Sequence, residues 1–196
     1  MRILLVLLWL FAAGAWAEEA ATPVAGGWGL PQLMQSMAQV RTSQGRFVER
    51  KYLAVLNRPL EYSGTLSFRA PDHLEKHTLS PKQESLVLDK GILVIDSKAR
   101  NIKRTLVLQE YPAAWAFVES IRATLAGDQA MLERFYKVRL EGNAEKWRMQ
   151  LLPIERYTRE MVRDIIIVGH GNRVSSIEMH ESNADHSTMK VIEETP

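Results

Sequence analysis

The chain has 196 residues, a formal net charge of +2, 46% hydrophobic and 24% charged residues, and no cysteine. A charge so near zero gives no whole-protein field for gathering nucleic acid. Without cysteine there is no disulfide framework, no thiolate nucleophile, no sulfur metal site and no thiol for lipid attachment.

Arg2 precedes an unbroken apolar run from Ile3 to Ala13, followed by the small-x-small site Ala15-Trp16-Ala17. These are the parts of a cleaved secretory signal peptide over residues 1–17, and the run is too short to serve as a lasting membrane anchor. Residues 18–28 are rich in small side chains around Pro23 and read as a flexible lead-in. The expectation is one exported domain over residues 29–196. At about 180 residues after cleavage, such a domain buries roughly 70% of its unfolded surface without disulfides.

Leu33, Met34, Met37 and Val40 recur at helical spacing behind Pro31, with Gln32, Gln35 and Gln39 outside, and Gly45 is expected to end that element. From there to about Leu108 the period is that of strands. The stretch from Gly64 to Arg69 alternates, and Leu86–Leu88 and Ile92–Ile95 flank the hairpin turn Asp89-Lys90-Gly91. Loops at Asn57-Arg58-Pro59 and Ser80-Pro81-Lys82 punctuate this run. Helical spacing returns between Pro112 and Ala126, where Phe117, Val118, Ile121 and Leu125 form a stripe with Glu119 and Arg122 outside it. Gly127 ends that helix, and Asp128 caps a second one holding Met131, Leu132 and Phe135. Strands follow: 136–140, then 147–151 beyond the turn Glu141-Gly142-Asn143. Ile165–Val168 runs into the turn His170-Gly171-Asn172, with Ile177 and Met179 in the return strand, and a last strand lies near Met189 to Ile192.

Strands joined by short turns pair antiparallel, and nothing in this order forces a parallel sheet. The fold class expected is therefore α+β, with one large curved antiparallel sheet. A sheet of eight or more strands curls, which makes an incomplete, half-open β-barrel with helices covering its concave apolar face.

This succession of pieces resembles the periplasmic outer-membrane lipoprotein carriers, the LolA-like proteins. The resemblance rests on the leader, the first helix with Leu33, Met37 and Val40, and Gly45-Arg46-Phe47 at the first strand. It continues through Gly64-x-Leu66-x-Phe68-x-x-Pro71, Asp89-Lys90-Gly91, Leu125-Ala126-Gly127-Asp128, Trp147 and Leu152-Pro153. It implies a monomeric periplasmic carrier, not lipid-anchored, that shields acyl chains of lipoproteins or a related lipid cargo. An inner-membrane donor and an outer-membrane acceptor would be its protein partners. The family's Arg-Pro-x-x-Phe-Arg-Trp segment is matched only by Phe68-Arg69, with Ala70 in place of tryptophan, which points to a divergent branch. Arg69 is the candidate for the family's lid-gating arginine, although alternation with Leu66 and Phe68 points it away from the apolar face unless a bulge re-aims it. The cavity and lid candidates are Met34, Met37, Leu66, Phe68, Trp115, Phe117, Val118, Ile121, Leu125, Met131, Trp147 and Met149.

Other chemistry is weakly represented. His73 and His77 share a strand face, while His180 and His186 flank a polar loop, so solvated histidines are expected in place of a metal site, and no cofactor is expected. No Gly-x-Ser-x-Gly elbow is present, and Glu110, Glu119 and Glu133 read as solvated carboxylates, so no catalytic residue is assigned. The alternative to a carrier is a non-catalytic envelope module that uses the same fold, with a filled interior, to bind a protein partner.

Overall fold

The computed structural model describes residues 27–193, so the expected signal peptide and most of the lead-in lie outside the described residues. Trp28, placed by sequence in the lead-in, packs against the core.

Helix α1 (Leu30–Met37) begins with Pro31 in its first turn and buries Leu33, Met34 and Met37. It ends eight residues before Gly45, which belongs instead to β1 (Thr42–Tyr52), where every second side chain turns inward. Five antiparallel strands follow in a meander: β2 (Leu60–Arg69), β3 (His73–Ser80), β4 (Glu84–Asp89), β5 (Ile92–Ser97) and β6 (Ile102–Val107). Helices α2 (Pro112–Ala126) and α3 (Gln129–Phe135) come next. A second meander is made by β7 (Tyr136–Gly142), β8 (Trp147–Pro153), β9 (Val162–His170), β10 (Arg173–Glu181) and β11 (His186–Glu193), with the one-turn helix α4 (Arg156–Arg159) between β8 and β9. Neither α4 nor the full length of β11 shows in the sequence pattern.

Strand β1 pairs with both β2 and β11, which joins the meanders into one sheet of order β6-β5-β4-β3-β2-β1-β11-β10-β9-β8-β7. The edges are β6 and β7, so the sheet stays open. The chain between those edges is the α2–α3 hairpin, which therefore has to cross the open side. The core is concentrated on one half of the concave face. Met34, Ala123, Leu132 and Phe135 of the helices pack there against Trp147, Met149, Leu151, Ile165 and Ile167 of β8 and β9.

Gly127 sets the angle of the helical hairpin. It takes the left-handed conformation (φ 67) at the end of α2, and its amide and that of Asp128 close the last turn on Thr124 and Ala123. A Cβ there would stand 2.1 Å from the Met34 carbonyl oxygen and 2.6 Å from the Ala38 nitrogen, so the missing side chain is also where α1 crosses. Gly127→Ala is expected to cost about 2 kcal/mol or more, because backbone strain and the collision with α1 add. A fall in the urea midpoint at unchanged slope would register it.

Candidate functional site

Helix α2 is amphipathic in an unusual sense. The residues it buries are small or polar: Ala116, Glu119, Ser120, Arg122, Ala123 and Thr124. The Ser120 hydroxyl donates to the Phe117 carbonyl at 2.6 Å, and the Thr124 hydroxyl to that of Ser120 at the same distance. Their polarity is thus satisfied inside the helix, which lets this face pack closely. The large apolar stripe of Phe117, Val118, Ile121 and Leu125 is only half-buried and, with Ala114, lines a hollow of about 390 Å³.

Opposite the stripe, the hollow is walled by inward side chains of the sheet: Leu66, Phe68, Leu74, Leu86, Leu88, Leu93 and Ile95 on one side, Ile177, Met179, Met189 and Val191 on the other. Met37 and Val40 close it at the α1 end. This is an apolar trough in the size range of small-molecule sites, made where α1 to α3 do not fill the concavity.

Of the candidates taken from sequence, the structure brings Met37, Leu66, Phe68, Phe117, Val118, Ile121 and Leu125 together around this trough. The other five lie elsewhere. Met34, Trp147 and Met149 are fully buried in the packed half, Trp147 against Gly169 with its indole N–H donating to the Gly171 carbonyl at 2.9 Å. Met131 and Trp115 pack against that half from outside, the Trp115 ring edge-on to Phe135 and under the Arg134 guanidinium. Periodicity identifies these five as apolar and inward, which both halves of the concavity require. Of the trough residues that sequence reading missed, Ile177 and Met179 alternate with polar neighbours, whereas Leu86, Leu88, Leu93 and Ile95 sit in continuous apolar runs in which only the sheet shows the inward face.

The profile of the outer membrane lipoprotein carrier protein LolA-like family matches residues 20–191. The chain belongs to that LolA-like family. No curated protein matches it in sequence. Among solved structures it is similar to a LolA superfamily protein from Nitrosomonas europaea, at 9% identity over 87% of this chain and 96% of that one, with a TM-score of 0.45. An outer membrane lipoprotein-sorting domain from Vibrio parahaemolyticus is similar at 5% identity over 83% and 88%, TM-score 0.44. A DUF1329 family protein from Desulfovibrio piger is similar at 10% over 83% and 88%, TM-score 0.38.

In this LolA-like chain Arg69 points away from the apolar face, as alternation leads one to expect, and a different arginine ties helix to sheet. Arg69 ends β2 exposed, opposite in alternation to the inward Phe68. Arg122 instead projects from α2 and donates to Glu119 at 2.6 Å, to Asp128 at 2.9 Å and to the Pro71 carbonyl of the β2–β3 turn at 3.2 Å. Asp128 in turn caps α3 by accepting from the Met131 amide at 3.1 Å. Burial works against the Arg122 charge, but hydrogen bonds to Asp128 and Glu119 outweigh it and raise its pKa. Glu119, expected in solvent, is therefore buried as the partner of a buried cation. Helical spacing put both residues off the apolar stripe correctly; only the fold shows that the other face is inside.

The histidines are also strand residues. His180 and His186 are direct cross-strand partners with ring centres 6.1 Å apart, His186 stacks on Tyr52 at 4.5 Å, and His180 Nδ1 lies 2.8 Å from buried Asp164. The expectation of solvated loop positions is corrected for this pair, because the β10–β11 hairpin is longer than its polar composition indicated. Among the described residues no group of three or more His, Asp or Glu is placed to hold a metal ion. His73 and His77 flank Glu75 on the outer face of β3, at 2.7 and 2.8 Å.

Removing the Arg122 cation leaves Glu119 buried without a partner, so Arg122→Met is expected to cost roughly 3 kcal/mol. Adding Glu119→Gln is expected to recover part of it, a comparison made by chemical denaturation. The outer cluster predicts a pH effect. Hydrogen bonds from His77 and then His73 hold Glu75 below its ordinary value, and acceptance by Glu75 and then Asp89 raises His73 above its own. Glu75 adds stability above its unfolded value of 4.5, lost as pH falls through the lowered folded value. His73 adds stability below its unfolded value of 6.5, lost as pH rises through the raised folded value. Both are in force between those limits, so urea midpoints of wild type and Glu75→Gln are expected to differ more near pH ~5.5 than near pH ~8.

Proposed function

We propose that this protein is a non-catalytic periplasmic carrier that shields the acyl chain of a lipoprotein, or of a related lipidic cargo, on its way to the outer membrane. The observation that carries the proposal is the half-buried apolar stripe of α2 that lines the trough. Phe117, Val118, Ile121 and Leu125 are held over a hollow while small and polar residues take the packed side. A core helix would bury the large residues and expose the polar ones. The arrangement suits a surface that is sheltered at rest and covered by cargo in transit. Membership of a lipoprotein-carrier-like family supports it. Among the described residues no helix is long and apolar enough to cross a membrane.

Magnitudes fit reversible loading. A methylene fills about as much space as one water in the liquid, roughly 30 Å³. A trough of about 390 Å³ therefore takes on the order of a dozen methylenes. Their burial contributes roughly 10 kcal/mol gross at ~0.8 kcal/mol each. Lost translational freedom and the ordering of chain and lid offset much of that, leaving an affinity compatible with hand-over between a membrane donor and acceptor. A protein-binding module with a filled interior is the second reading, and a hollow of this size weighs against it.

The test is uptake of a fluorescent acyl probe by delipidated protein, together with mass spectrometry of gently purified material for bound lipid. Phe117→Ala is expected to weaken probe binding about tenfold, since burial of such a ring is worth ~1.5–3 kcal/mol. Met149→Ala is expected to lower stability by ~2–5 kcal/mol while leaving probe affinity unchanged. No probe uptake by wild type, or equal loss of affinity in both variants, would sink the proposal.

A further inference from the structure

The wall of the trough carries an ion pair. Its charged lining is Glu49, Lys76 and Glu75; the Glu75 carboxylate is taken up by His73 and His77 at 2.7 and 2.8 Å, whereas the Lys76 ammonium lies 2.5 Å from a Glu49 carboxylate oxygen. Along β1 the inward residues are Gly45, Phe47, Glu49 and Lys51, so the floor changes from apolar to charged within four residues. Lys76 reaches across the buried Phe47 ring, 4.8 Å from its centre, and Lys51 pairs with Glu181 at 3.1 Å. Charges therefore alternate in sign from β3 across β1 to β10.

Both partners of the first pair are largely withdrawn from water, with 25% and 16% of their side chains exposed. Desolvation at that depth cancels much of the attraction, and an apolar pair of similar volume would hold the sheet as well. Fold stability thus gives no reason for charge here, whereas an amphiphile entering an apolar trough has a polar end to place.

We propose that Glu49 and Lys76 seat the head of a single-chain zwitterionic amphiphile, an acid oxygen against Lys76 and a cationic nitrogen against Glu49. This inference rests on the carrier function proposed above. A plain anion gains Lys76 but meets the Glu49 carboxylate beside it, and a plain cation meets the reverse. An uncharged head leaves the pair intact and gains nothing from it. The net-neutral pair selects a head that carries both charges, whether phosphate with ammonium or carboxylate with ammonium.

Four lauroyl probes separate these cases by titration calorimetry below micelle-forming concentrations: lauroyl lysophosphatidylethanolamine, Nε-lauroyl-lysine, laurate and monolaurin. Wild type is expected to bind at least one zwitterion about tenfold tighter than laurate, and the tighter of the two names the acid group. Lys76→Met and Glu49→Gln are each expected to erase that preference, read as the ratio of zwitterion to laurate affinity on the same variant, so that a general loss of binding does not imitate the effect. The exchange Glu49→Lys with Lys76→Glu is expected to restore it. Equal binding of all four probes, or a ranking unmoved by the variants, overturns the head-group site and leaves the carrier standing. Failure of every probe, monolaurin included, overturns both.

Discussion

An α-helix that turns its small, hydroxyl-bearing face to the protein and its large apolar face to a hollow is the constraint on which the rest of this structure depends. Ser120 and Thr124 return their hydroxyl protons to the helix's own carbonyls, and Ala116 and Ala123 add no bulk, so the face packs closely without large side chains. Phe117, Val118, Ile121 and Leu125 are then left for the trough.

Topology enforces the position. The sheet runs from β6 at one edge to β7 at the other, and the chain from β6 to β7 is the α2–α3 hairpin, so the helices bridge the opening. They do not bridge it evenly. α1 to α3 settle over β7 to β10, where Trp147, Met149, Leu151, Ile165 and Ile167 meet them in a solid core. The half over β11 and β1 to β5 is covered by the stripe of α2, with Met37 and Val40 closing it at the α1 end. A single concave face thus supplies both the fold's stability and a cavity, which explains how a sheet can carry a hollow without collapsing onto it.

Arg122 is where these two halves are joined. It binds the start of α3 through Asp128, its own helix through Glu119, and the β2–β3 turn through the Pro71 carbonyl, 51 residues away in sequence. A buried guanidinium with two carboxylates is costly to assemble and costly to break, so it fixes where α2 and α3 sit against the β2–β3 turn more than it adds net stability. In this LolA-like chain the tie comes from the helix, whereas the resemblance had placed it on the sheet.

What the sequence determined by itself was local. Alternation set the strands, three-and-four spacing set α2, Gly127 its end and Asp128 the next start, because each depends on dihedral preference and hydrogen bonds within a few residues. The antiparallel class followed from short turns. What only tertiary structure decided was which inward residue meets a partner and which meets a hollow. Val118 and Ile121 border the trough while Met34 and Met149 lie in the solid core, and Met37 belongs to both, though all read alike along the chain. Glu119 and Arg122 became interior, and His180 met Asp164, for the same reason. Burial depends on strand order and on where the helices come to rest across the sheet, and those are set by contacts between residues far apart in the chain.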